Sequence, residues 1–310
     1  MTMQDGDPNT VRSGRFDALS RKGREATLRG AFVEALTIYS EARRVASTLG
    51  KPGRDMLDAA DLNVAMVHLQ MGHNRRGEEG LREILLRTDR PRVAFSAAYN
   101  LASSLRKQGR HDRALRYARR ALDCAGKIAA PDLLAAGHSI FGNIRLNQNH
   151  LEAALKEYDS SMRFRLTQEG DTRYSRAILL ENIGYCHLLK DELETGLGEI
   201  VQALALAREV GDLRCISECL QDLCYGHLLA GRHTESLELG CEALSLAREA
   251  GYNDIEENCH YLLGELGSRT DNLARRDEHF NRLQDMHPEL PFLKDFLCAV
   301  DVTSFITLKR

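Results

Sequence analysis

ALALAREVGD, Ala203 to Asp212, returns forty residues later as ALSLAREAGY, Ala243 to Tyr252. A near-copy at that spacing marks a repeat whose unit is one supersecondary element, able to bury its apolar face only against its neighbours. Reading outward from this pair, the unit can be laid over nearly the whole chain. Each copy shows a helical stripe, a short turn, a second helical stripe ending in an Ala-Leu-like pair, and a linker rich in Gly, Asp or Pro. Gly30, Gly72, Gly109 and Gly231 fill one turn slot, and Asn149, Asp191 and Asp271 fill it in other copies. These are the residue types that tolerate a left-handed backbone at a helix end. Beyond the turns, the second stripes open FVEALTIYSEA, RRGEEGLREIL, HDRALRYARRAL, LEAALKEYDSSM, LETGLGEIVQAL, HTESLELGCEAL and LARRDEHFNRL, which makes seven helical hairpins. The expectation is all-α.

The remaining composition excludes more than it identifies. MTMQDGDPNTVRSGR has no apolar core, and no stretch approaches the roughly 18 uncharged apolar residues of a membrane span. A cytoplasmic protein with no membrane partner is expected. Eight cysteines, several at apolar helix positions, suit a reducing compartment better than a disulfide framework. The net charge of −3 conceals a polarity: residues 1–155 sum to +8 and residues 156–310 to −11. Such asymmetry can steer a bipolar ligand, favour head-to-tail self-association, or follow from uneven but solvated outer faces.

The units resemble the tetratricopeptide repeat. Its first helix carries a small residue, here Gly23, Ala65, Ala102, Gly142, Gly184 and Gly264, with Cys224 as the larger occupant. Its second helix carries an Ala followed four residues later by a larger apolar group, as in Ala35 with Tyr39 and Ala154 with Tyr158. Ala42, Ala121, Ala203 and Ala243 fill the later small slot, and His287-Pro288 closes the last unit. Successive small slots lie 42, 37, 40, 42, 40 and 40 residues apart, longer than the roughly 34 of the basic repeat. That is similar to the long-repeat subgroup of kinesin light chains, cell-polarity adaptors and bacterial peptide-responsive regulators. The resemblance implies a right-handed superhelical solenoid over residues 15–288, after a disordered tail at 1–14. Arg276 departs from the usual Ala, and Gly77 and Gly196 are expected to weaken their second helices. Residues 289–310 change pattern: LPFLKDFLCAV is expected to form a capping helix with Phe292, Phe296 and Leu297 on its apolar side. The β-prone last ten residues either pack back on the array or serve as a tail offered to a partner.

Chemistry-bearing constellations are few. Cys215, Cys219, Cys224 and His227 spread over about half the circumference of one helix, so they do not converge on a tetrahedral ion. Histidines 68, 187 and 227 share one packing slot, and 138 and 260 another. Ser104-x-x-Lys107 lacks its companion motifs. No phosphate loop, HExxH or paired-carboxylate arrangement appears, so neither an enzyme nor a metal or other cofactor is expected. The basic run Arg106, Arg110, Arg113, Arg116, Arg119, Arg120 and Lys127, with Tyr117 among them, falls mostly on a second, outer helix. There a solvated face is the ordinary outcome, and nucleic-acid binding is a weaker alternative.

The expected site lies on the first helices, which the resemblance places on a concave surface. Asn63, Asn100 and Asn182 precede the small slot by two residues, and Asn143 follows it by one. Asparagine is an indifferent helix former. Its amide can clamp the main chain of an extended peptide, as a ladder of asparagines does in the long-repeat relatives, or hydrogen-bond within the repeat. Arg24, Arg106, Lys107 and Arg145 would give the groove a basic end; Glu181, Glu218, Asp222 and Glu265 would give it an acidic one, with Tyr185 and Tyr225 supplying apolar contact. The function expected is a non-catalytic receptor for a peptide or protein segment. The alternative is a signalling regulator that responds to a peptide by capturing or releasing a transcription factor or protease.

Overall fold

The structure, a computed structural model, describes residues 8–50, 53–303 and 308. Among them every regular element is helical. The order is α1 (Pro8–Leu28), α2 (Phe32–Ser47), α3 (Arg54–Gln70), α4 (Asn74–Arg87), α5 (Pro91–Lys107), α6 (His111–Lys127), α7 (Pro131–Asn147), α8 (Leu151–Leu166), α9 (Arg173–Leu189), α10 (Leu193–Val210), α11 (Leu213–Leu229), α12 (His233–Ala250), α13 (Asn253–Arg269), α14 (Leu273–Met286) and α15 (Leu293–Ala299). Helix α1 begins at Pro8, so the expected boundary after residue 14 falls inside a helix; residues 1–7 lie outside the described residues. Among the described residues no helix is long and apolar enough to cross a membrane.

The turns explain why the hairpins repeat. Gly30, Gly72, Gly109 and Gly231 have φ of 72°, 75°, 70° and 70°, and Asn149, Asp191 and Asp271 have 57°, 63° and 51°. In each turn the following residue donates its N–H to a carbonyl five residues back. Ala31 bonds to Ala26, His73 to His68, Arg110 to Leu105, His150 to Arg145, Glu192 to His187, Arg232 to His227 and Asn272 to Gly267, all at 2.9 Å. This is the wrap that satisfies the last carbonyls of a helix and reverses the chain into the next.

The chain divides into two compact units, residues 1–144 and 145–310, the division falling within α7. In the first unit α1, α3 and α5 pack against α2, α4 and α6; α2 also meets α3, and α4 meets α5. First helices touch first helices, α1 on α3 and α3 on α5, so they form one continuous face. The second unit repeats the scheme with α9, α11 and α13 against α10, α12 and α14. Its core runs unbroken from Leu146 to Leu308. The first unit's core is a series of smaller clusters rich in alanine, including Ala42 with Ala46 and Ala114 with Ala118.

Packing adds to one expectation and corrects another. Gly77 and Gly196 are points of close approach, beyond any weakening of their helices: a Cβ there would come 2.8 Å from the Ala65 carbonyl oxygen and 2.6 Å from that of Gly184. Those distances let α4 press on α3 and α10 on α9. Helix α15 packs on α14, but of its expected apolar side only Leu297 is buried. Phe292 is 74% and Phe296 52% exposed. The reason is local: Phe292 stands before the helix at φ 69°, and α15 has only 7 residues.

Candidate functional site

In the first unit the face made by α1, α3 and α5 carries two adjoining clefts. The first, of about 220 Å³, is lined by Arg24, Thr27 and Leu28 of α1, Tyr39 of α2, and Asn63, Met66, Val67 and Gln70 of α3. The second, of about 320 Å³, shares Met66 and Gln70 and continues over Leu69, Asn74, Asn100, Ser103, Ser104, Lys107 and Gln108. A repeat places equivalent residues on equivalent surface, and this explains the lining. Arg24, Met66 and Ser103 each follow the small residue of their first helix by one position; Asn63 and Asn100 precede it by two.

Four expected residues therefore meet on one surface: Arg24, Asn63, Asn100 and Lys107. Asn100 spends one N–H on its own helix, donating from Nδ2 to the Ser96 carbonyl at 2.9 Å. A primary amide has a second N–H and a carbonyl oxygen besides. Arg106 is not on this surface, being buried. Asn143, half-buried on α7, is outside the residues lining the two clefts. Met66, Gln70, Ser103 and Gln108 line the clefts without having been singled out in the sequence. Gln108 is held by the Glu78 carboxylate at 2.8 Å and the Ser104 hydroxyl at 3.0 Å. Buried Glu78 also takes the Arg110 guanidinium at 3.3 Å.

The basic run does not form one open patch. Arg110 is committed to Glu78, and the Arg119 guanidinium lies 5.1 Å from the centre of the Phe141 ring. Arg113, Arg116, Arg119, Arg120 and Lys127 are exposed on α6.

In the second unit the expected residues occupy a different setting. Asn182 is buried and donates from Nδ2 to the Ile178 carbonyl at 2.7 Å, an intrahelical bond. The acidic end is not an open field of charge, because Glu181, Asp222 and Glu265 are buried. Glu265 accepts from Arg269 at 2.9 Å and Glu218 pairs with Arg214 at 3.0 Å, while Asp222 accepts from Gln221 at 3.1 Å. Arg145 donates to Gln148 at 3.1 Å. Burying carboxylates is tolerated when cations and amides take their lone pairs, and here neighbours within the repeats do so.

Tyr185 of α9 and Tyr225 of α11 are buried too, their rings 6.0 Å apart. Their hydroxyls meet the segment after α15: the Leu308 N–H donates to Tyr185 Oη at 2.9 Å, and Tyr225 Oη donates to the Thr303 carbonyl at 3.3 Å. Tyr261 of α13 joins them through its hydroxyl, 3.1 Å from Thr303 Oγ1. Burial, then the Asp222 charge, pushes the Tyr225 phenol up to about 12. Burial likewise raises the Tyr261 phenol, so both of these remain neutral hydrogen-bonding groups near neutral pH.

All eight cysteines are free thiols. Cys215, Cys219 and Cys224 are buried among apolar neighbours, and burial pushes the Cys224 thiol up to about 12. Among the described residues no group of three or more His, Cys, Asp or Glu is placed to hold a metal ion.

The sequence matches no family profile and no curated relative. Solved structures do resemble the fold. The apo form of RapI matches with a TM-score of 0.69 at 13% identity, covering 88% of this chain and 98% of that one. A Rap protein complexed with competence and sporulation factor gives 0.64 at 13% identity, over 94% and 89%. A signal transduction ATPase with a tetratricopeptide repeat sensor, from Pyrococcus horikoshii, gives 0.65 at 15% identity over 96% of this chain. The match spans 46% of that larger protein. With its helical hairpins, its recurrent left-handed turns and these neighbours, the chain is by fold a tetratricopeptide-repeat-like α-solenoid.

Proposed function

We propose that the chain is a non-catalytic receptor that binds an extended peptide or protein segment on the α1–α3–α5 face of its first unit. The observation that carries this reading is the pair of adjoining clefts, which share Met66 and Gln70 and bring Arg24, Asn63, Asn100 and Lys107 to one surface. Amides offer both a donor and an acceptor to a peptide main chain whatever its side chains, and the two cations favour a ligand with acidic groups. The likeness in fold to a Rap protein complexed with competence and sporulation factor supports a protein or peptide segment as the ligand. A finer reading follows from the same likeness: occupancy by a peptide changes the capture or release of a separate effector protein.

The test is selection from a library of random 12-residue peptides on the full chain, followed by titration of the enriched peptide. Asn63→Ala with Asn100→Ala should weaken binding at least tenfold, since an unpaired main-chain group loses roughly 1 kcal/mol or more per contact. Arg116→Ala with Arg120→Ala, exposed on α6, should leave affinity unchanged. No enrichment, or full affinity in the double asparagine variant, overturns the reading.

A further inference from the structure

Two second helices, one in each unit, fill equivalent solvent-facing slots with opposite charge. Counted from the turn residue Gly109, the fourth, seventh, eleventh and eighteenth positions on α6 hold Arg113, Arg116, Arg120 and Lys127. Counted from Gly231, the same positions on α12 hold Glu235, Glu238, Glu242 and Glu249. All eight are exposed. The fourteenth position, in the same row, is Asp123 on α6 and Ser245 on α12. At about 100° per residue the four charges of each helix fall within an arc of about 60°, and they extend about 21 Å along the axis. Each set is therefore a narrow stripe on one side of its helix. The other five second helices carry no such stripe. Their slots are mixed in sign, as with Arg76, Glu79 and Glu83 on α4, or mostly uncharged, as on α8 and α10.

A stripe of one sign is unfavourable in the free chain. Like charges three and four residues apart on a helix repel, and both stripes hold such neighbours. Arg113 also lies in the first turn of α6 and Glu249 in the last turn of α12, where the helix dipole disfavours their signs. Among the described residues no ion pair engages the four cations of α6, nor Glu235, Glu238 or Glu249. Glu249 takes the Ser245 hydroxyl at 3.2 Å, and Glu242 pairs with Arg208 at 3.2 Å between two exposed side chains. Such an exposed pair is weak and readily exchanged.

The intervals between successive charges are 3, 4 and 7 residues on both helices. Laid parallel and in register, every cation of one stripe faces a carboxylate of the other. Laid antiparallel, Arg116 and Glu238 lose their counterparts. Each molecule carries both stripes exposed, so the surface complementary to either one is present on any second copy.

We propose that the chain associates with itself head to tail, the α6 stripe of one copy docking parallel and in register on the α12 stripe of the next. The contact is heterologous, joining unlike faces. It sets Arg113 against Glu235, Arg116 against Glu238, Arg120 against Glu242 and Lys127 against Glu249 of the neighbouring copy. The opposite net charges of the two halves of the sequence thereby gain a role in recognition. Exposed charge pairs supply orientation and encounter rate more than affinity, so the association is weak and sensitive to salt. It uses no residue of the first-unit clefts and does not rest on the receptor reading.

Sedimentation velocity of the full chain tests it in about 20 mM and about 0.5 M sodium chloride, between which the screening length shortens from about 20 Å to about 4 Å. The apparent self-association constant should fall at least tenfold at the higher salt. At the lower salt, Arg116→Glu with Arg120→Glu should weaken self-association at least tenfold, and so should Glu238→Arg with Glu242→Arg. Mixed in equal amounts, the two reversed proteins should regain association to within about threefold of the unsubstituted chain, since the reversed α6 of one matches the reversed α12 of the other. That rescue separates pairing of the stripes from a mere change in net charge. The milder Arg116→Gln with Arg120→Gln adds no new charge to α6 and should give a loss of the same sign. A chain that stays monomeric at about 0.2 mM in the lower salt overturns the proposal. Association that the reversals leave unchanged, or that the mixture fails to restore, overturns it as well. Monomers that bind duplex DNA through Arg116 and Arg120 would overturn it by assigning the basic stripe to nucleic acid.

Discussion

Replacing His260 with glutamine should remove about 2 kcal/mol of the stability that the protein loses in mild acid. His260 of α13 is 1% exposed, and its Nδ1 lies 2.8 Å from Nδ1 of His279 on α14. Its Nε2 lies 2.9 Å from Arg248 Nη2 of α12. Arginine only donates, so His260 Nε2 must accept, and the ring proton must sit on Nδ1 and be donated to His279. A second proton would go to Nε2, against Arg248, and would break that bond. Glu256, 3.7 Å from Nε2, already pairs with Arg248 at 2.9 Å. Burial, then His279 and Arg248, hold the His260 pKa down from 6.5 to about 4. The unfolded chain therefore takes up a proton as pH falls through 6.5, whereas the folded chain does so only near 4. Stability present above pH 6.5 is lost as pH drops through that window, by about 2 kcal/mol at pH 5. His279, lowered mainly by burial, adds to the loss with the same sign. Glutamine keeps an acceptor for Arg248 and a donor for His279 but does not titrate. Urea denaturation followed by circular dichroism at pH 7.5 and 5.0 measures the effect. The other lowered histidines, His68 and His227, are common to both proteins and cancel in the comparison. Equal losses of stability in the two proteins between these pH values would refute the reasoning.

Two further outcomes follow from packing. Gly184→Ala places a Cβ 2.5 Å from Ile200 Cγ1 and 2.8 Å from the Gly196 carbonyl, and should cost ~1–3 kcal/mol. Gly198→Ala, on an exposed turn of α10 with nothing within 4 Å, should stabilise by up to ~1 kcal/mol; thermal melts of the pair check both signs. Of the eight thiols, only exposed Cys241 and Cys298 should react rapidly with a disulfide reagent in the native protein, the other six reacting after unfolding. Mass spectrometry of the labelled sites counts them, and fast labelling of Cys219 or Cys224 would contradict the burial described.

Periodicity determined the architecture before any coordinates. The recurrence of ALALAREVGD, the Gly, Asn and Asp turn slots and the small residues of the first helices each encode a local event, a stripe, a reversal or a close approach. Local events repeat whenever their residues do. The cleft residues Arg24, Asn63, Asn100 and Lys107 were legible for the same reason, since equivalent slots face equivalent surface. The rest depended on contacts distant in the chain. That Gly196 lets α10 approach α9 closely depends on Gly184, in the neighbouring helix. That Glu181, Asp222 and Glu265 are buried, and so do not form an open acidic surface, depends on the packing of α9, α11 and α13 against their neighbours. That Tyr185 meets Leu308, 123 residues away, was invisible to a period of about forty. A repeat pattern records what each repeat does with its neighbours, and a contact between residues this far apart lies outside it. Only the tertiary structure decided which polar groups are exposed to a ligand and which the chain already satisfies itself.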